Sequence, residues 1–72
     1  MKKINKIKIK LNGKNIITKD NITLLNLLKK FNIPLKKVAI ELNHQIVNKK
    51  SIGKIKIKKN AKIEVVHFIG GG

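Results

Sequence analysis

The stretch Lys6-Ile7-Lys8-Ile9-Lys10-Leu11-Asn12-Gly13-Lys14-Asn15-Ile16-Ile17-Thr18 opens the reading of the fold. Its first half alternates strictly between lysine and apolar residues, the period of a strand with one buried face, and turns Ile7, Ile9 and Leu11 inward. Asn12-Gly13 follows, the strongest short hairpin signal, because a type I′ turn needs positive φ at both central residues. Lys14 to Thr18 is then the returning strand. From Asn21 the period changes. Leu24, Leu27, Leu28 and Phe31 fall at i, i+3, i+4 and i+7, one face of a helix. Thr23 suits the N-cap, and Ile22 with Leu27 would staple the entry. Lys29 and Lys30 fall in the last turn, at the negative end of the helix dipole. Pro34 cannot continue the helix, which therefore ends near Phe31 or Asn32.

Beyond Pro34 the pattern is strand-like again. Val38, Ile40 and Leu42 alternate with Ala39 and Glu41, Asn43-His44 is a turn candidate, and Gln45-Ile46-Val47 returns. Asn48 to Gly53 is polar, a loop or a short helical turn. Ile55 and Ile57 alternate with lysines, Lys59-Asn60 marks a turn, and Ala61 to Phe68 forms the last strand. The expectation is an α+β domain with a mixed sheet of four or five strands packed on one main helix. This order of elements resembles the β-grasp, or ubiquitin-like, fold. Residues 1–67 make the domain and residues 68–72 a flexible C-terminal glycine tail, with no internal repeat, linker or second domain.

At 72 residues and 42% hydrophobic content there is material for one core. With no Cys, neither a disulfide nor a thiolate metal site is available. No segment approaches the roughly 18 apolar residues that span a bilayer, and no apolar h-region follows the basic Met1-Lys2-Lys3. The expectation is a soluble, cytoplasmic protein.

The net charge of +15 suggests nucleic acid. Three details weigh against a specific reader. All 18 basic residues are Lys, none Arg, the usual bidentate partner of guanine. There is no Tyr or Trp and only two Phe for base stacking. The lysines are also spread along the chain. A solvated lysine surface fits better, in a chain whose Ile, Lys and Asn content matches an AT-rich coding bias. Any nucleic-acid binding is expected to be non-specific and steeply salt-dependent.

The side chains offer little chemistry. Asp20, Glu41 and Glu64 are the only carboxylates and His44 and His67 the only imidazoles. Glu41 and Glu64 fall on outward strand positions, where a catalytic carboxylate pair would arise only by accident of folding. A metal site would have to combine the two His with a distant carboxylate, so no metal is expected. Spacing suggests no acid–base partner for Ser51. The chain reads as no enzyme in its own right.

The exception is Gly70-Gly71-Gly72. A terminal α-carboxylate is ionised at neutral pH and can attack the α-phosphate of ATP to form an acyl adenylate. Gly lacks a Cβ, so such a tail can pass a narrow channel and adopt the φ/ψ a partner requires. Residues 68–72 extend at most about 16–18 Å.

Two segments together carry a family resemblance. They are Val38-Ala39-Ile40-Glu41-Leu42-Asn43-His44-Gln45-Ile46-Val47 and Ile63-Glu64-Val65-Val66-His67-Phe68-Ile69-Gly70-Gly71-Gly72. The chain resembles the ThiS family, sulfur carriers of thiamin thiazole biosynthesis, over essentially its whole length. It departs from the family pattern at His44, where Gly is common, and at Lys59-Asn60-Ala61, where an acidic-Gly-acidic turn is usual.

The resemblance implies that a ThiF-like enzyme adenylates Gly72 with ATP. A sulfur derived from cysteine then leaves a thiocarboxylate there, and the thiazole synthase ThiG takes that sulfur. Gly70 and Gly71 would be the threading segment, with Phe68 and Ile69 anchoring its base; Phe68 could equally be core. The carrier itself would hold no cofactor. Alternatives on the same scaffold are a MoaD-like carrier for molybdopterin synthesis, a ubiquitin-like modifier, and a lysine-rich nucleic-acid-binding module.

Overall fold

The computed structural model describes residues 5–68. The first hairpin forms as its alternation requires: β1 (Lys6–Leu11) and β2 (Lys14–Lys19) pair antiparallel, with Leu11 opposite Lys14. Asn12 and Gly13 take φ of 50° and 80°, both positive as a type I′ turn demands. Helix α1 (Leu24–Lys30) follows, with the Thr23 hydroxyl accepting from the Asn26 amide at 3.1 Å. Leu24, Leu27 and Leu28 are fully buried, and Ile22 joins them in the core.

Phe31 does not share the buried face as its spacing suggested. It is the C-cap and is 37% exposed. The helix ends at Lys30, within a residue of the expected stop, in a Schellman arrangement: Asn32 turns left-handed at φ 56°, its amide donates to Lys29 O, and the Ile33 amide donates to Leu28 O. Pro34 then lies beyond the stop rather than causing it.

A 3₁₀ turn at Leu35–Lys37 leads into β3 (Val38–Leu42), which pairs with the short β4 (Gln45–Ile46). Asn43 and His44 between them have φ of 51° and 70°. His therefore occupies a left-handed position where Gly would sit without strain, a geometry His tolerates better than most residues. The polar Asn48–Gly53 stretch contains a second 3₁₀ turn, Lys49–Ser51.

The last strand, β5 (Lys62–His67), inserts between the hairpins, giving the order β2-β1-β5-β3-β4. It runs parallel to β1 and antiparallel to β3. Ile9, Leu11, Val38, Ile40, Ile63 and Val65 cover the inner face against the buried leucines of α1. This is the expected mixed sheet on one helix, with five strands.

One expected strand is absent. Ile57 is buried and Ile55 half-buried, so the alternation is real, but both edges of β5 are already taken by β1 and β3. The segment instead meets the chain entering α1. Leu24 N donates to Ile55 O and Ile57 N to Ile22 O, each at 2.8 Å, around a single Thr23–Lys56 bridge. It closes the end of the core without extending the sheet.

The two turn asparagines also grip β5. Asn12 Oδ1 accepts from Val65 N at 2.7 Å while Asn12 N donates to Ile63 O at 2.8 Å. On the other flank Asn43 Oδ1 accepts from Lys62 N at 2.9 Å and Asn43 N donates to Lys62 O at 2.7 Å. Asn12→Ala should therefore destabilise the domain by about 2 kcal/mol, from left-handed strain plus an orphaned, part-buried Val65 N–H. Asn12→Gly, which relieves the strain and loses only the acceptor, should lose less. Urea unfolding of the three proteins measures both, and equal stability of Asn12→Ala and the parent would rule the grip out.

Candidate functional site

β5 delivers the chain toward its glycine end from the middle of the sheet. Its last pair is His67 opposite Val38, and beyond it the Phe68 amide donates to Lys37 O at 2.9 Å. The tail residues singled out from the sequence, Ile69, Gly70, Gly71 and Gly72, lie outside the described residues. Phe68 lies within them and is 58% exposed. Of the two places open to it, the core is excluded.

Strand alternation decides what the outer face of the sheet presents. Ile63 and Val65 point into the core, so Lys62, Glu64 and Val66 point out. Val66 stands opposite Ala39, and Ile46 opposite Glu41. Ile46 is 77% and Val66 52% exposed. With Phe68 they form an apolar strip on the β5–β3–β4 side of the sheet, leading to the root of the tail. Exposed apolar residues grouped in this way mark interaction surfaces. Lys6, Lys8 and Lys10 of β1 extend the same face with positive charge.

Every lysine among the described residues is exposed. The charge therefore acts as a surface field rather than through buried pairs. The surface depressions are open and lysine-lined, one by Lys6, Lys19 and Lys30 and another by Lys8, Lys10 and Lys62. Ligand sites are usually enclosed, apolar clefts with a few convergent polar groups. A surface of this kind suits docking better than catalysis.

The structure corrects the expectation about the acidic residues. Glu41 and Glu64 are direct cross-strand partners, and His44 completes a set whose ligand atoms lie within 4.8 Å of one another. His67, by contrast, stands opposite Val38. The convergence is two carboxylates with one His, not two His with a distant carboxylate. It depends on the register of β3 against β5, which no local pattern encodes; only the outward placement of both Glu was visible beforehand. Exposed acidic groups gather this way on many surfaces without an ion, and we assign none here. What the set does provide is a negative spot beside Ile46 and Val66 on an otherwise positive face.

Comparison with known proteins gives a consistent picture. The model of the ThiS family matches residues 3–72. The chain is 35% identical to the sulfur carrier protein ThiS of Bacillus subtilis over 65 residues, covering 89% of this chain and 98% of that one. It is 39% identical over 66 residues to a thiazole synthase of Magnetococcus marinus, covering 92% of this chain but 20% of the synthase. The chain thus spans about a fifth of that relative. The crystal structure of a ThiS from Geobacter metallireducens superposes with a TM-score of 0.82 at 22% identity, covering 92% of this chain and all of that one. At that identity the match speaks for the β-grasp fold alone.

Proposed function

The chain belongs to the ThiS family, and from that premise we propose that it is the sulfur carrier of thiamin thiazole formation, loaded at the carboxylate of Gly72. The observation that carries this reading is the extent of the family match, which runs through Gly70-Gly71-Gly72. The fold supports it: the strand that leads to those glycines is central in the sheet and gripped on both flanks.

The chemistry needs only an ionised terminal carboxylate from this chain. Its oxygen attacks the α-phosphate of ATP in the site of a ThiF-like adenylating enzyme, and pyrophosphate leaves. A sulfur derived from cysteine adds to the activated carbonyl and AMP departs. Where the donor is a persulfide, a thiol reductant cleaves the remaining S–S bond and frees the thiocarboxylate. The carrier is a co-substrate in these steps, and its partners supply the catalysis in the cytoplasm. Gly70 and Gly71 place no Cβ beside the reacting carbonyl, and the apolar strip ending at Phe68 is the surface on which the partners dock.

The partner that accepts the sulfur is proposed to be a thiazole synthase of the ThiG kind. A carrier-like stretch within a chain described as a thiazole synthase supports this pairing. Binding the thiocarboxylated protein to ThiG and, separately, to the large subunit of molybdopterin synthase tests the choice. Stable association with ThiG and sulfur transfer to the thiazole product are expected. Association with the molybdopterin synthase subunit alone would sink the assignment to thiamin.

A further inference from the structure

We propose that Lys49 is a positioning residue for the reacting terminus: its ammonium holds Phe68, the fourth residue before Gly72, and so sets where the last segment of the chain begins. Its role in sulfur loading rests on the carrier reading above; its geometry does not.

Lys49 opens the second 3₁₀ turn. Asn48 caps that turn, its Oδ1 accepting from Lys50 N at 2.9 Å, so the direction in which Lys49 leaves the backbone is set. Its Nζ donates to Leu35 O at 2.9 Å and to Val38 O at 2.8 Å, and sits 5.3 Å from the centroid of the Phe68 ring. Both hydrogen bonds are charge-assisted and short, and the ring lies within cation–π range. An ammonium has three donors; here two point at backbone carbonyls while the charge lies over an aromatic ring.

Those carbonyls flank the one that holds the Phe68 backbone. Leu35 O and Val38 O bind the ammonium, and Lys37 O between them accepts from Phe68 N at 2.9 Å. Residues 35–38 therefore hold Phe68 twice, directly through its amide and through Lys49 at its ring. Phe68 is exposed, so core packing does not hold it in place.

The consequence is geometric. Four residues follow Phe68, which limits the terminal carboxylate to about 13–14 Å from a fixed root. Releasing Phe68 lengthens the stretch of chain between the last held residue and the terminus, and the concentration of a terminus at a docked active site falls as such a stretch lengthens. Ordering completed before docking affects association and leaves the chemical step alone. Loss of Lys49 should therefore appear in KM for the carrier rather than in kcat.

Five proteins test this: the parent, Lys49→Met, Lys49→Arg, Phe68→Leu, and the Lys49→Met/Phe68→Leu double variant that closes the cycle. In Lys49→Met the Phe68 amide should exchange with deuterium about fivefold faster or more, while the amides of β1 and α1 keep their protection. With the ThiF-like enzyme and ATP, its KM should rise about three- to tenfold with kcat within about twofold, and Lys49→Arg should restore KM. In the Phe68→Leu background Lys49→Met should add nothing further. Parental KM and parental Phe68 exchange in Lys49→Met would overturn the proposal. So would an equal KM rise in the Phe68→Leu background, which would place Lys49 on the partner directly. If the parent itself accepts no sulfur, the carrier reading fails with the loading role, while Phe68 exchange still reads the geometry.

Discussion

Extending the chain by one residue beyond Gly72 is expected to reduce its activation to background, read as carrier-dependent pyrophosphate release by the adenylating enzyme. The extension converts the Gly72 carboxylate into a peptide carbonyl. That group is neither anionic nor nucleophilic enough to attack a phosphate, and the new carboxylate lies one residue beyond the reacting position. Deleting Gly72 leaves a carboxylate on Gly71 but withdraws it by about 3.3–3.6 Å. Near-attack geometry requires contact at about 3–3.5 Å, and misplacement by about 1 Å can cost about a hundredfold. The deletion should therefore lose at least about a hundredfold in kcat/KM, with the fold unaffected because the core lies wholly upstream. Parental rates in either variant would remove Gly72 from the mechanism.

Leu27→Ala is expected to bring the domain close to unfolding. Leu27 is fully buried in the single core. Such a truncation costs about 2–5 kcal/mol in lost transfer energy and residual cavity. A domain of this size has a total stability of only about 4–11 kcal/mol. There is no Cys, hence no disulfide to offset the loss. The melting temperature should fall by about 10–30 °C. Leu25→Ala, at a half-buried position on the same helix that packs only against the core's margin, should lose about 1 kcal/mol. Calorimetry on the pair separates a core defect from a loss of helix propensity, since both variants gain the same Ala. Equal losses would mean that the inner face of α1 does not form the core.

What could be read in the sequence was the part governed by neighbouring residues. The lysine–isoleucine alternation of β1, the Asn12-Gly13 turn, the Thr23 cap and the leucine spacing of α1 each depend on a few positions, and each formed. The misreadings share a cause. Ile55 and Ile57 have a strand's period, yet their backbone is bonded to the chain entering α1 and not to a sheet edge. Phe31 keeps the helical spacing, yet it is the C-cap, and the chain turns away at Asn32 directly after it. Glu41 meets Glu64 and His44 only because β3 and β5 pair in one register. Lys49 reaches Phe68 across nineteen residues of sequence through carbonyls whose positions no pattern announces.

Asparagine is the residue type whose reading changed most. In a chain rich in Ile, Lys and Asn it first passes for compositional drift. Yet Asn12, Asn21, Asn32, Asn43 and Asn60 all hold positive φ, joined among the described residues by His44 and Gly13. Asn is the side chain that best tolerates left-handed geometry after Gly, and here it also supplies the acceptors that hold β5. Asn thus stands at positions where Gly is the usual alternative. The lysines show the complementary case: exposed throughout the described residues, they leave the core untouched, and among those described Lys49 alone is tied to two backbone carbonyls and a ring.

The central claim is that the reactive group of this protein is the carboxylate of Gly72. Intact-mass and fragmentation spectrometry after incubation with ATP, a sulfur donor and the ThiF-like enzyme tests it most directly. The predicted result is a gain matching replacement of one oxygen by sulfur, carried by the C-terminal fragment ending at Gly72. The same gain on any other fragment, or its persistence in a chain extended beyond Gly72, would contradict the account.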